Sequence, residues 1–261
     1  MIVNPKVKKY IPLSDYDDVF VVADFDRTIT TGSSKTSWSI LAGSSLVPDS
    51  YISERQALFD HYRPIEISDS VDYDFKMNAM KEWFQKHIEL FVKYKISEDI
   101  FRKAASDLRV MGFRPHALEF INFLHDNNIP LIIISAGIGN FIETFLEHND
   151  CYYDNIYVSS NKIIFKNGVA SGVGANIIHS FNKNEVSLPS EIDKKIQTRN
   201  NVILLGDQIR DLKMVDKTKH ELVISVGFSG NEISIEEMTK YFDVVCSSDE
   251  GYASIITLLF K

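Results

Sequence analysis

Asp24 and Asp26 follow directly on a short apolar run, Val19-Phe-Val-Val-Ala23, that reads as a strand buried on both faces. Carboxylates at the end of such a strand are costly unless they are paired or bind a metal. Two more runs of the same kind end in small or polar residues. Leu131-Ile-Ile-Ile134 leads into Ser135-Ala-Gly-Ile-Gly139, and Val202-Ile-Leu-Leu205 leads into Gly206-Asp207, with Asp211 four residues on. In an open α/β sheet the carboxyl ends of parallel strands share one edge, and ligands bind there. The spacing therefore predicts that Asp24, Asp26, Ser135, Gly137, Asp207 and Asp211 converge. Carboxylates about 4 Å apart repel by about 4 kcal/mol per pair at an effective dielectric of ~20. A divalent cation removes that cost, and an all-oxygen donor set with room for phosphate suits Mg²⁺.

The chemistry such a set performs is phosphoryl transfer. One carboxylate attacks phosphorus and a second moves the proton. Ser135 and the backbone N–H groups of 136–139, read as a helix start, would hold a phosphate oxygen. A lysine is needed to balance the equatorial oxygens. Lys162, Lys166, Lys183, Lys194 and Lys195 lie in the right interval. Gly206 would allow close approach of the backbone beside Asp207.

The elements around these residues alternate strand and helix, which argues for an α/β fold with a doubly wound, mostly parallel sheet. One stretch breaks the alternation. From Pro48 to Gly112 the pattern is helical, with apolar residues at helical spacing over about 72–95 and Ser97 as an N-cap for a further helix ending before Gly112. We read 32–111 as a helical cap inserted into a core made of 1–31 and 112–261. Residues 1–18 read as a polar lead-in, 156–173 as short strands with a turn at Asn167-Gly168, 185–199 as partly helical and 250–260 as a C-terminal helix. The 261 residues carry a net charge of −8, which argues against binding a nucleic-acid polymer. There is no signal-peptide pattern and no run long enough to span a bilayer, so a cytoplasmic protein that binds no membrane is expected. Cys151 and Cys246 show no metal or redox spacing and are expected to be buried thiols.

Asp24-Phe-Asp-Arg-Thr28 resembles the D-x-D-x-T signature of the haloacid-dehalogenase-like (HAD) phosphatase superfamily, and Ser135, a lysine and Gly206-Asp207…Asp211 follow in that superfamily's order. The resemblance is tighter to the cytosolic pyrimidine 5′-nucleotidases. It rests on Ile134-Ser-Ala-Gly-Ile-Gly139, Ile178-His-Ser-Phe-Asn-Lys183, Ile203-Leu-Leu-Gly-Asp207 with Asp211-Leu, and Tyr241-Phe-Asp-Val-Val245. Pro64-Ile-Glu-Ile67 and Glu82-Trp-Phe-Gln-Lys-His87 are also similar to that branch. The resemblance implies Asp24 as nucleophile and Asp26 as general acid/base. It implies Mg²⁺ held by Asp24, the carbonyl of Asp26 and Asp207, with Asp211 in support. Thr28, Ser135, Ala136, Gly137 and Lys183 would bind phosphate, and Glu66 and His87 would meet the nucleobase.

The implied activity is hydrolysis of a nucleoside 5′-monophosphate, pyrimidine before purine, through an aspartyl-phosphate. The same chemistry on a sugar phosphate or phosphoserine is the alternative; transfer to an alcohol, or a non-catalytic sensor of phospho-ligands, are others. Arg27 departs from the branch, which has an aliphatic residue there, and is expected to face solvent. Glu66 reads equally as a solvated loop residue. Trp83, Phe84 and His87, at helical spacing, read mainly as core packing.

Overall fold

A computed structural model describes residues 1–107, 111–174, 177–184, 188–230, 233–247 and 251–261. Strand β1 (Ile2–Val3) comes from the lead-in and β2 (Val19–Ala23) from the apolar run ahead of Asp24. Three helices follow, α1 (Asp49–Ile67), α2 (Tyr73–Lys93) and α3 (Glu98–Ala105). The strand–helix pattern resumes with α4 (Ala117–Asp126), β3 (Leu131–Ile138), α5 (Gly139–His148) and β4 (Ile156–Asn161). A hairpin of β5 (Ile163–Lys166) and β6 (Val169–Val173) precedes α6 (Ser190–Ile196) and β7 (Asn201–Gly206). The chain ends with β8 (Leu222–Phe228), α7 (Ile235–Met238), β9 (Val244–Cys246) and α8 (Ala253–Leu259).

Seven strands form one sheet in the order β1-β9-β8-β7-β2-β3-β4, parallel except for β1. The chain winds outward from β2 through β3 to β4, then returns to β7 on the other side of β2 and continues to β9. The order thus reverses between β2 and β7, and a crevice opens at such a reversal beyond the strand ends. Asp24 and Asp207 follow those two strands. Alternation along the strands explains why both faces are apolar. Val19, Val21, Ala23, Ile133 and Leu205 join one cluster with Phe120, Phe141 and Ile255 of the helices on that face. Phe20, Val22, Ile132 and Leu204 join a second cluster with Ile192 and Ile196 of α6.

Between β2 and β3, α1 and α2 pack on each other, α2 also meets β6, and α3 packs on α5. Asp72 caps α2 by accepting from the amides of Asp74 (3.0 Å) and Phe75 (3.1 Å). Ser97 caps α3 by accepting from Ile100 N–H at 3.3 Å. That helix is shorter than expected and ends at Ala105. The chain near Gly112 is extended instead, because Gly112 O accepts from Thr31 N–H (3.0 Å) and Phe113 pairs with Thr30. The lead-in also differs from expectation. Ile2 and Val3 pair with Val245 and Val244 as an antiparallel edge strand, too short to show a periodicity. Asn167 (φ 52°) and Gly168 (φ 75°) form the expected tight turn between β5 and β6. Both cysteines are buried. Expectations for 108–110, for 185–187 and for the start of the last helix at 250 lie outside the described residues. Among the described residues no helix is long and apolar enough to cross a membrane.

Candidate active site

The backbone after β2 turns sharply. Thr30 N–H donates to Phe25 O at 3.2 Å, and Arg27 takes a left-handed conformation (φ 64°, ψ 5°) inside that turn. Such a conformation is disfavoured for a residue with a Cβ and persists only where the surroundings hold it. Arg114 provides the hold. Its side chain is fully buried and donates to the carbonyls of Thr28 (3.1 Å) and Arg27 (2.5 Å), while its guanidinium lies 4.3 Å from the centre of the Phe228 ring. Tyr252 donates to the Thr28 carbonyl as well, at 3.0 Å. Neither Arg114 nor Tyr252 carries a sequence signal, since each acts on backbone far away in the chain.

Asp24, Asp26, Ser135, Ala136, Gly137, Lys183, Asp207 and Asp211 line one cavity of about 260 Å³. Lys183 Nζ pairs with Asp24 Oδ1 and, at 3.0 Å, with Asp211 Oδ1. Of the five lysines in the interval, Lys183 is the one in the cavity lining. Two asparagines shape its loop. Asn182 Nδ2 donates to Ile177 O (2.8 Å). Asn161 joins that loop to the end of β3, donating to Ile178 O (2.7 Å) and Ala136 O (3.0 Å).

Asp211 enters the site differently from the helical-face expectation. Residues Ile209–Met214 form a 3₁₀ turn, and Asp211 folds back over it to accept from Gln208 N–H at 3.0 Å. A Cβ at Gly206 would lie 2.6 Å from the Asp211 Cβ, so only glycine fits there. Asp207 accepts from Gln208 Nε2 at 3.1 Å through Oδ2. Asp26 is fixed by Ser37, whose N–H and hydroxyl donate to its two oxygens, each at 2.9 Å.

The amides of 136–139 also differ from expectation. Strand β3 continues through Ala136 and Gly137 to Ile138, so these residues do not open a helix. Gly137 N–H donates to Ser135 Oγ (3.0 Å) and Ile138 N–H to Ser37 Oγ (3.2 Å). Thr28 sits behind Asp24, fully buried, with its hydroxyl 3.4 Å from Asp24 Oδ2. It is not part of the cavity lining.

Asp24, Asp207 and Asp211 each offer a carboxylate oxygen within 4.8 Å of the others. Burial pushes Asp24 well above the ordinary carboxylate range; Lys183 opposes this, and Asp211 and Asp207 add to it. Burial, then the Asp211 charge, push Asp207 up to about 7. Burial also raises Asp26, while the two bonds from Ser37 hold part of that shift back. Burial alone would lower the Lys183 pKa, but Asp211 and Asp24 outweigh it and raise it above its usual value. One lysine does not balance this cluster. Hard oxygen donors, close together and short of positive charge, fit a divalent cation such as Mg²⁺.

The outer wall of the cavity comes from the first two helices, the segment before them and Arg210 of the turn after β7. Trp38, Phe59, Trp83, Phe84 and His87 line it with Arg55, Arg63, Glu66 and Arg210. Trp38 stacks on Phe91 at 6.0 Å and donates its indole N–H to Ala136 O at 2.8 Å, tying this wall to the end of β3. Glu66 is not a solvated loop residue: it lies in the last turn of α1 with its side chain 11% exposed. It accepts from Arg63 (2.5 Å) through one oxygen and from Arg210 (3.1 Å) through the other. Arg27 also lines the cavity, contrary to the solvent-facing expectation. Trp83, Phe84 and His87 do more than fill the core, because the groove between α1 and α2 opens onto the site.

His87 is 4% exposed, and its Nδ1 has no hydrogen-bond partner. Burial, then the Arg55 charge, push its pKa down to about 3 from 6.5. The unfolded chain therefore takes up a proton that the folded chain refuses, and stability falls as pH drops below about 6.5 toward 3. The His87 share between pH 7 and pH 5 is at most ~2 kcal/mol. In denaturant titrations at these two pH values, His87→Gln should lose less stability on acidification than the wild type. An equal loss in both would exclude His87 as the responsible group.

The family model of the pyrimidine 5′-nucleotidases (UMPH-1) matches residues 25–260. The 7-methylguanosine phosphate-specific 5′-nucleotidase A of Xenopus laevis is 32% identical over 242 residues, covering 88% of this chain and 82% of that protein. A crystal structure of cytosolic 5′-nucleotidase IIIB bound to cytidine superposes with a TM-score of 0.79 at 28% identity, covering 93% of this chain and 85% of that one. A phosphoserine phosphatase, solved as a phospho-aspartyl intermediate analogue, shares the fold at a TM-score of 0.55 and 17% identity, covering 92% of this chain and 97% of that one. The chain belongs to the pyrimidine 5′-nucleotidase (UMPH-1) family and is a phosphoric monoester hydrolase with the α/β fold of the HAD phosphatases.

Proposed function

We propose that this enzyme hydrolyses nucleoside 5′-monophosphates, pyrimidine before purine, through a phosphorylated Asp24. The observation that carries the proposal is the single cavity that joins the Asp24–Lys183–Asp211 cluster to an aromatic wall bearing Glu66. The ionised Asp24 carboxylate attacks phosphorus, and Asp26 gives its proton to the departing 5′ oxygen. Burial favours the protonated form of Asp26 that this step needs, and Ser37 fixes its orientation. Asp26 then takes a proton from the water that hydrolyses the phospho-enzyme. Ser135, Lys183 and the amides near Ala136 and Gly137 hold phosphate oxygens, and Thr28 positions Asp24. Asp24, the Asp26 carbonyl and Asp207 would hold Mg²⁺, with Asp211 in support. When bound, the metal neutralises charge on the phosphoryl oxygens.

Residues 32–111 act as the cap of this site, and the remainder as its core. The cap excludes bulk water and receives the leaving nucleoside. Aromatic faces suit a planar base. Glu66 accepts N–H groups from the base edge, since a carboxylate has about four acceptor positions and Arg63 and Arg210 occupy two. The relatives support a nucleotide: those of Xenopus laevis, Homo sapiens and Drosophila melanogaster are named for 7-methylguanosine phosphate, and a related structure was solved with cytidine.

Phosphate release in the presence of Mg²⁺ tests the proposal on CMP, UMP, AMP, GMP, 7-methylguanosine 5′-phosphate, sugar phosphates and phosphoserine. Nucleotides should be turned over fastest. Sugar phosphates or phosphoserine outrunning every nucleotide would overturn it. A second expected outcome concerns Glu66. Glu66→Gln should raise KM for the preferred nucleotide roughly tenfold and narrow its lead over other bases, with a smaller change in kcat. Unchanged selectivity in that variant would remove Glu66 from base recognition.

A further inference from the structure

The arginines of the outer wall are unequally partnered. Arg63 and Arg210 share the Glu66 carboxylate. Arg55, half-buried on α1, has no carboxylate partner among the described residues. Its Nε reaches only the Trp38 carbonyl, at 3.4 Å, and its guanidinium lies 5.9 Å from the centre of the Phe59 ring. The outer half of the cavity therefore holds three guanidinium groups against one carboxylate. An arginine keeps its charge even when partly desolvated. Its planar fork matches a ligand with two adjacent acceptors, such as a carbonyl oxygen next to a ring nitrogen. It repels a ligand that carries positive charge, and the aromatic faces beside it offset only part of that repulsion.

We propose that Arg55 is a specificity-determining residue that makes this enzyme favour neutral nucleobases with an acceptor edge and disfavour positively charged ones. The proposal rests on the nucleotide function argued above. Cytosine offers O2 and N3 on one edge and is neutral. A 7-methylated guanine carries a positive charge and has lost its N7 acceptor. Arg55 thus opposes the preference for a cationic base that the aromatic wall alone would give.

The test compares kcat/KM for CMP and for 7-methylguanosine 5′-phosphate in the wild type, Arg55→Lys and Arg55→Met. The ratio within each variant does not depend on how much of it folds. The wild type should favour CMP by roughly tenfold or more. Arg55→Met should shrink that ratio roughly tenfold, mainly through KM, and Arg55→Lys, which keeps the charge but not the planar fork, should fall between Arg55→Met and the wild type. Inhibition of the wild type by free cytidine and free 7-methylguanosine gives a reading that needs no variant, and cytidine should inhibit at the lower concentration. A wild type that favours 7-methylguanosine 5′-phosphate, or a ratio unmoved in Arg55→Met, overturns the role of Arg55. Failure of the nucleotide function itself would look different: p-nitrophenyl phosphate would be hydrolysed while no nucleoside monophosphate was.

Discussion

Asp24→Asn is expected to lose at least ~10⁴-fold in kcat while keeping its fold, because the amide that replaces the carboxylate cannot attack phosphorus. The substitution is nearly isosteric and keeps an oxygen near Lys183 and the Thr28 hydroxyl, the present partners of Asp24. Rapid acid quench with labelled substrate makes the outcome specific. The wild type should yield a transient labelled protein and Asp24→Asn none. Asp26→Asn should behave differently. It should still accept the phosphoryl group from an activated ester, whose leaving group needs no proton, yet hydrolyse nucleotides ~10²–10⁴-fold more slowly. Labelled protein in Asp24→Asn, or wild-type turnover by it, would show that another group is the nucleophile.

The second large effect is on stability and couples pH to the cation. Asp207 titrates near 3.8 in an unperturbed chain and at about 7 in the fold, so the folded state binds the proton more tightly. For such a group, the stabilisation present below pH 3.8 is lost as pH rises through about 7. At about 1.4 kcal/mol per unit, the full penalty approaches ~4 kcal/mol. Asp24 shifts in the same direction. In chelator, thermal stability should therefore fall between pH 5 and pH 7.5. Mg²⁺ should restore it, by ~2.7 kcal/mol at a concentration one hundred times its dissociation constant. Asp207→Asn should show neither the fall from this group nor most of the Mg²⁺ response. Comparing variant with wild type at each pH removes the opposite trend expected from His87. A wild-type melting temperature indifferent to Mg²⁺ would sink the proposed metal site.

The legible part of this protein lies along its strands. Val19–Ala23, Leu131–Ile134 and Val202–Leu205 are apolar on both faces because the sheet is covered on both faces, and that pattern survives in one dimension. Each run marks its own carboxyl end, so Asp24, Asp26, Ser135 and Asp207 were findable by position. Lys183 was not. Residue types left five lysines open, and only the resemblance around Phe181-Asn-Lys183 singled it out; in space, bonds from Asn161 and Asn182 shape its loop.

The sequence by itself determined the sheet, the carboxylates at its edge and the class of chemistry they perform, because strand periodicity and strand ends are local properties. Tertiary structure decided what surrounds them. Arg114 holds the Asp24–Thr28 turn across 86 residues, Ser37 holds Asp26, and Trp38 ties the outer wall to Ala136. Arg55, Arg63, Glu66 and Arg210 become one charged wall only when α1 lies over the turn after β7. Hydrogen bonds and charge interactions depend on distance in space. Which arginine shares a carboxylate and which meets only a backbone carbonyl is therefore decided by packing.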